Sequence, residues 1–262
     1  MTTMEATGGV FELGRVMQRT FKVIGDNFPM FAVSAMLLVC LPVFAASVVG
    51  FLYPETWVVG LSYVVGVLLA AIGGYILQGL VVYGAISRLN GRRVGADEAI
   101  NVGARMALPL LGLAILQSLG IALGLILLIV PGLMLATAWS VAAPALVMEK
   151  RGVSASFQRS RDLTRGHRWR IFGLLVIYFI LASIISVAVQ GLAVAAGVKP
   201  LKSGMISATQ AATPGALVAS FINALTNAAQ YVISAAGAAA IYFELRTGKE
   251  GVAPDQLASV FD

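Results

Sequence analysis

Residues 106–148, MALPLLGLAILQSLGIALGLILLIVPGLMLATAWSVAAPALVM, contain no Asp, Glu, Lys or Arg. A helix needs about 20 apolar residues to cross a hydrocarbon core about 30 Å thick. The block is roughly twice that length, so it reads as two spans. Its strongest turn signal is Val130-Pro131-Gly132, because proline presets one turn angle and glycine tolerates the next. The expectation is a tight hairpin there, with arms at about 107–130 and 132–149. The second arm is short and carries Pro144, so a re-entrant loop is the alternative for 132–149.

Four more charge-free blocks lie outside this one, at 27–54, 56–87, 171–198 and 203–243. The last opens on the polar run SATQAATPG, so its helix is placed from Pro214. Six spans result, at about 28–53, 56–87, 107–130, 132–149, 169–197 and 214–245, with a tail at 246–262. Composition agrees. The chain of 262 residues is 59% hydrophobic and 11% charged, with mean hydropathy +0.90. A soluble domain has about 25% charged residues. The predicted fold is all-α: a single polytopic membrane domain over 1–262. A cleavable signal peptide is not expected, because the first apolar span follows a charged segment and is long.

Basic residues set the expected orientation. Sixteen of the eighteen fall on one side of the six spans, and only Lys199 and Lys202 on the other. Basic loops stay cytoplasmic, so both termini are expected in the cytoplasm and the chain in the bacterial inner membrane. The densest run is RSRDLTRGHRWR, residues 159–170, with five arginines and the chain's one histidine. As a topology determinant it accounts for the net charge of +6 without nucleic acid.

Amphipathic segments precede three of the spans. In 10–27, Val10, Leu13, Gly14, Met17, Phe21 and Ile24, continued by Phe28, recur at helical steps. Glu12, Arg15, Arg19, Lys22 and Asp26 fall opposite. This predicts a helix lying in the cytoplasmic interface, apolar face on lipid, with a helix packed on its own protein as the alternative. GADEAINVGARMALP before span three and VSASFQRSRDLTRG before span five read similarly. In the latter, Val153, Phe157, Ser160 and Thr164 share the face expected on lipid, Arg159 and Asp162 point towards water, and Gly166 ends the helix. Small residues four apart, Gly66/Ala70/Gly74 and Gly120/Gly124, let helices approach closely in lipid. Trp57, Trp139 and Trp169 are placed as interfacial anchors.

The sequence offers little for chemistry. His167 stands alone in the basic loop, Cys40 is the one cysteine and reads as a buried apolar residue, and no His/Cys/Asp/Glu set has metal spacing. No cofactor, metal or catalytic residue is expected, and the chain reads as a non-enzyme. Glu149, at a span end, is expected to pair with Lys150, Arg151 or a nearby arginine. One polar constellation remains. Ser220, Asn223, Asn227, Gln230 and Ser234 step by three and four along span six. The stripe serves either interhelical hydrogen bonding or a polar solute path.

Three phrases carry a family resemblance: FELGRVMQRTFKVIGDNF (11–28), IVPGLMLATAWSVAAPALVMEKRGV (129–153) and FQRSRDLTRGHRWRIFGLLVI (157–177). Together they resemble the bacterial membrane domain fused to some glycerophosphodiester phosphodiesterases, which also occurs alone in six-span proteins. The most specific part is the proline-glycine hairpin, Pro144, Glu149, and the pattern of Arg159, Ser160, Leu163, Thr164 and Gly166. The catalytic domain, with its metal-binding acids and histidines, has no counterpart here. The resemblance implies a membrane module that handles or senses lipid.

The functional expectation is an integral membrane protein that engages anionic phospholipid at the cytoplasmic leaflet. Arg161, Arg165 and Arg168 form the expected headgroup site, since arginine's planar fork grips phosphate bidentately; the alternative is nonspecific attraction to the leaflet with ion pairing to Asp162 and Glu149. The alternative is a small permease for a lipid-like or amphipathic solute, using the stripe at Ser220, Asn223, Asn227 and Gln230. Membrane phospholipid is the expected partner, with a second copy or another membrane protein as a further one.

Overall fold

The computed structural model describes residues 12–195 and 213–251. Val10, Lys199, Lys202 and the tail beyond 251 lie outside the described residues. The described chain is all-α. Its elements are α1 (Leu13–Asp26), α2 (Phe28–Ala35), a π turn (Met36–Cys40), α3 (Leu41–Leu52), α4 (Thr56–Leu89), α5 (Ala96–Leu127), α6 (Ile129–Ala138), α7 (Ala142–Glu149), α8 (Val153–Thr164), α9 (Arg168–Ala195) and α10 (Pro214–Glu250). Six helical stretches are long and apolar enough to cross a membrane, two of them composite: α2 to α3 and α6 to α7.

The first composite span is irregular because of one residue. Pro42 has no N–H for the Leu38 carbonyl, and its ring crowds that carbonyl. The helix widens into the π turn immediately before it. Gly73 of α4 rests against the Leu38 carbonyl. Other glycines serve as close-approach points within the molecule. Gly66 faces Ala46, Gly74 faces the Tyr231 ring, Gly103 faces the Ile76 carbonyl, Gly120 faces Trp139, and Gly124 meets Gly132. The small-residue spacings of α4 and α5 therefore pack helices inside one chain.

The hairpin of 106–148 does not turn at Val130-Pro131-Gly132. Its break is at Leu128, the one extended residue between α5 and α6 (φ −161°, ψ 138°). Pro131 is the third residue of α6, where the first-turn N–H groups have no intrahelical partner and a proline costs nothing. Gly132 is buried against Leu125 and Gly124. Steric fit at the helix crossing, rather than turn chemistry, uses this glycine.

The second amphipathic segment is not a separate in-plane helix. Residues 96–105 are the start of α5, which runs unbroken through Pro109 for 32 residues. Ala99, Gly103, Leu110 and Leu113 are all buried at steps that keep one stripe facing inward. Gly103 seats that stripe on α4 at Ile76, and a bend near Met106 would divide it. Likewise α10 continues to Glu250 and is capped by Gly251 in the left-handed region, so helix persists past the expected boundary at 245.

Packing is tightest around α7. Ala142 to Val147 are all buried, so this stretch of the short helix is enclosed on every side, as an apolar stretch should be. By contrast α9 buries only Ile171 and Leu174. Its other large apolar side chains, such as Phe179, Ile184 and Val187, stay exposed and suit a lipid environment.

Candidate functional site

Four elements meet where polar groups concentrate: the interrupted span α6–α7, α8, the start of α9 and the last turns of α10. The interruption itself, Trp139–Val141, frees backbone groups inside the bundle. A freed carbonyl or N–H away from water needs a partner. Ser160 of α8 supplies it. Its hydroxyl donates to the Ala138 carbonyl (2.7 Å) and accepts from the Val141 N–H (3.3 Å). Thr164, one turn on, donates to the Ser160 carbonyl (2.8 Å) and reaches towards Ala138 (3.4 Å). Ser156, Ser160, Leu163 and Thr164 are all buried.

This overturns one expectation directly. The face of Ser160 and Thr164 was expected on lipid; it faces the break in the neighbouring span. Trp139 is not an interfacial anchor either. Its ring packs on Phe157 (centroids 4.7 Å apart) and beside Gly120. Trp57 and Trp169 are exposed.

Charge latches the outer side of α8. Arg159 Nε donates to Glu149 Oε1 (2.6 Å), and Arg159 also pairs with Glu250. The Tyr242 hydroxyl donates to the same Glu149 oxygen (2.9 Å), and Arg151 lies 3.5 Å from the other. Glu149 therefore has the arginine partners expected of it. Arg159, expected in water, is only 23% exposed. Burial works against its charge, but hydrogen bonds and charge from Glu149 and Glu250 outweigh this and raise its pKa above the usual arginine value. Arg246 pairs with Glu250 (3.0 Å). Lys249 Nζ donates to the Asp162 and Arg165 carbonyls at the end of α8.

A second clamp holds α1. Its Val16, Thr20 and Val23 are buried, a sector between the apolar and charged arcs read from sequence. On one flank, Arg15 (3.2 Å) and Arg19 both pair with Glu244 of α10, and Arg19 lies over the Phe243 ring (5.0 Å). Glu244 is only 6% exposed. On the other flank, Phe21 and Phe28 remain exposed. Asp26 joins Arg88 (2.9 Å), and Glu98 receives the Tyr83 hydroxyl (2.6 Å) and Arg92 (2.9 Å). These pairs put α1, the turn after α4, α8 and the end of α10 at one end of the bundle.

The three arginines of the expected headgroup site behave differently from these. Arg161 and Arg165 are exposed and Arg168 is partly buried. None of the three forms a salt bridge among the described residues; Glu149 is taken by Arg159 and Arg151. Arg168 Nε is buried with no hydrogen-bond partner there. Nearby His167 is held below its ordinary pKa by burial first, then by the Lys249 and Arg170 cations.

Among the described residues, no hydrogen bond joins the stripe on α10 to an amide side chain of another helix. Asn223 donates to the Ala219 carbonyl and Asn227 to the Asn223 carbonyl (2.9 Å each), both in their own helix. Ser220 is buried, Gln230 half-buried, and Asn227 exposed. Across helices, the Tyr178 hydroxyl of α9 donates to the Gln230 carbonyl (3.2 Å) and also hydrogen-bonds the Ser234 side chain of the stripe. Sequence reasoning missed Ser160, Arg159 and Glu244 as partners across elements. The available signal was a carboxylate ending each of two apolar runs in a chain with few charges.

A UPF0259 membrane protein of Pectobacterium carotovorum subsp. carotovorum (strain PC1) is 33% identical over 119 residues, 45% of this chain and 47% of its own length. The chain thus covers about half of that relative. No solved structure matches. This likeness is to a bacterial membrane protein, in keeping with the six apolar helices. A family model described as a domain of unknown function, DUF7847, matches residues 98–245, from the start of α5 to the end of the Glu244 clamp, and the chain belongs to that family.

Proposed function

We propose that this membrane protein engages anionic phospholipid at the cytoplasmic leaflet and acts as a binder or organiser rather than a catalyst. The observation that carries the reading is the sorting of arginines. Arg15, Arg19, Arg88, Arg92, Arg151, Arg159 and Arg246 are paired to carboxylates. Arg161, Arg165 and Arg168, like Arg93 and Arg105, form no such pair among the described residues; unlike those two, they cluster within one short segment next to the exposed Trp169 at the start of the apolar α9. Cations at an anionic leaflet contribute about 1 kcal/mol each, and arginine adds bidentate geometry. The excess of basic residues at one end supports cytoplasmic termini in an inner membrane. The resemblance to the membrane domain of glycerophosphodiester phosphodiesterases supports a lipid-linked role.

The test replaces Arg161, Arg165 and Arg168 together with lysine, keeping charge and topology. Native mass spectrometry from mild detergent should show anionic lipid retention falling several-fold at unchanged expression. Equal lipid retention in parent and variant would leave these arginines only a topology role.

A permease is the second reading, and one observation favours it: Asn227 is an exposed amide halfway along a span. Since Asn223 and Asn227 bond within α10, replacing either with alanine should cost under about 1 kcal/mol in thermal unfolding. If the variants stay stable and abundant yet abolish a cellular phenotype of the protein, the permease reading gains over the lipid one.

A further inference from the structure

We propose that α8 is a movable plug seated in the interrupted fourth span, able to lift away and uncover the break. The inference is independent of the lipid reading. Its first support is what the plug covers. The Ala138 carbonyl and Val141 N–H are freed by the break at Trp139–Val141, and Ser160 answers both. A side chain from another element thus completes the span.

The second support is how α8 is held. Its buried positions are three hydroxyl residues and one aliphatic, Leu163. Val153 and Phe157 add partly buried apolar contact, Phe157 on the Trp139 ring, and the remaining anchorage is ionic or polar: Arg159 on Glu149 and Glu250, and Lys249 on the Asp162 and Arg165 carbonyls. Segments with few buried apolar contacts open at lower free energy than the surrounding core. Water and ions can replace the polar anchors, which leaves Leu163 and the partly buried Val153 and Phe157 as the apolar hold on α8. α7, on which α8 sits, is apolar and enclosed, so seat and plug differ in the way a moving part and its frame should.

The third support is the hinges. Gly152 (φ 87°, ψ 169°) precedes α8 and Gly166 (φ 89°) follows it. Neither has an atom of another residue within 4 Å of an added Cβ. Their freedom therefore serves the chain direction, not packing. Both conformations suit glycine alone, and such points absorb the backbone change when a segment closes or opens.

The experiment reads opening by thiol reactivity in Cys40→Ala protein. Ser156→Cys places a reporter on the buried face of α8, where the parent residue is 2% exposed; Ala239→Cys places a control in α10 at 0%. Labelling by a small maleimide is followed in lipid nanodiscs. Adding Arg159→Gln should speed labelling at position 156 about tenfold and leave position 239 unlabelled. Ser160→Ala should speed it as well. If Arg159→Gln protein does not accumulate, 1 M KCl on the reporter alone should raise labelling at 156 several-fold by screening the latch. Labelling at 156 that ignores both the substitution and the salt overturns the plug, and so does a parallel rise at 239, which would mean general loosening.

Discussion

Gly73→Ala is expected to destabilise this protein by about 3 kcal/mol or more, enough to remove most folded material. A Cβ on Gly73 would lie 1.9 Å from the Leu38 carbonyl oxygen and 2.7 Å from its carbon. No rotamer relieves this, because both atoms are backbone and the substituent is a methyl group. The carbonyl is where it is because Pro42, four residues on, offers it no N–H and the helix opens into the π turn. Relief would require α4 to move off the first span along its length. Gly60→Ala, in the same helix with nothing within 4 Å, should be neutral or stabilising by up to about 1 kcal/mol. Thermal unfolding in detergent distinguishes the two. Equal stability of the two variants would sink the described seating of α4 on the π turn.

The second large effect lies in the Glu244 clamp. Removing both cations, Arg15→Gln with Arg19→Gln, leaves a carboxylate that is 6% exposed without its partners. Stranding a buried charge costs about 3–5 kcal/mol when the pair is fully buried. Arg15 is 42% and Arg19 26% exposed, so solvent screening reduces this to about 2 kcal/mol. Glu244→Gln should cost less, about 1 kcal/mol, because the two arginines can turn to water. The triple variant should then be more stable than the double, since no unpaired charge remains inside. Denaturant unfolding of the four proteins checks that order. A triple variant less stable than the double would show that the clamp acts through packing, such as Arg19 on Phe243, and not through charge.

Much of the fold is legible without coordinates because the bilayer imposes a length and a polarity on any span. Charge-free blocks of that length located six helical stretches, and proline and glycine marked places where helices are irregular. What those marks meant was not legible. Pro131 and Gly132 read as a turn, yet the break fell at Leu128, because a proline is as much at home in a helix's first turn as in a loop. Residues 96–105 read as a separate surface helix, yet Gly103 holds them to α4 as part of α5. The face of Ser160 and Thr164 read as lipid-facing by helical period. Period tells which residues lie together; it does not tell what they lie against.

Local sequence by itself determined membrane class, helix content, the number of candidate spans and the uneven placement of basic residues. Each follows from hydrophobicity, charge and backbone propensity within about 20 residues. The tertiary structure alone decided that Glu149 takes Arg159 while Glu244 takes Arg15 and Arg19 from the far end of the chain, at a sequence separation of 229 for the Arg15 pair. It also decided that Ser160 completes a span it does not belong to. The physical reason is common to all three. A charge or a freed backbone group removed from water must be answered, but the rule that it be answered does not say by whom, and only helices already docked bring the answering side chain within 3 Å or so.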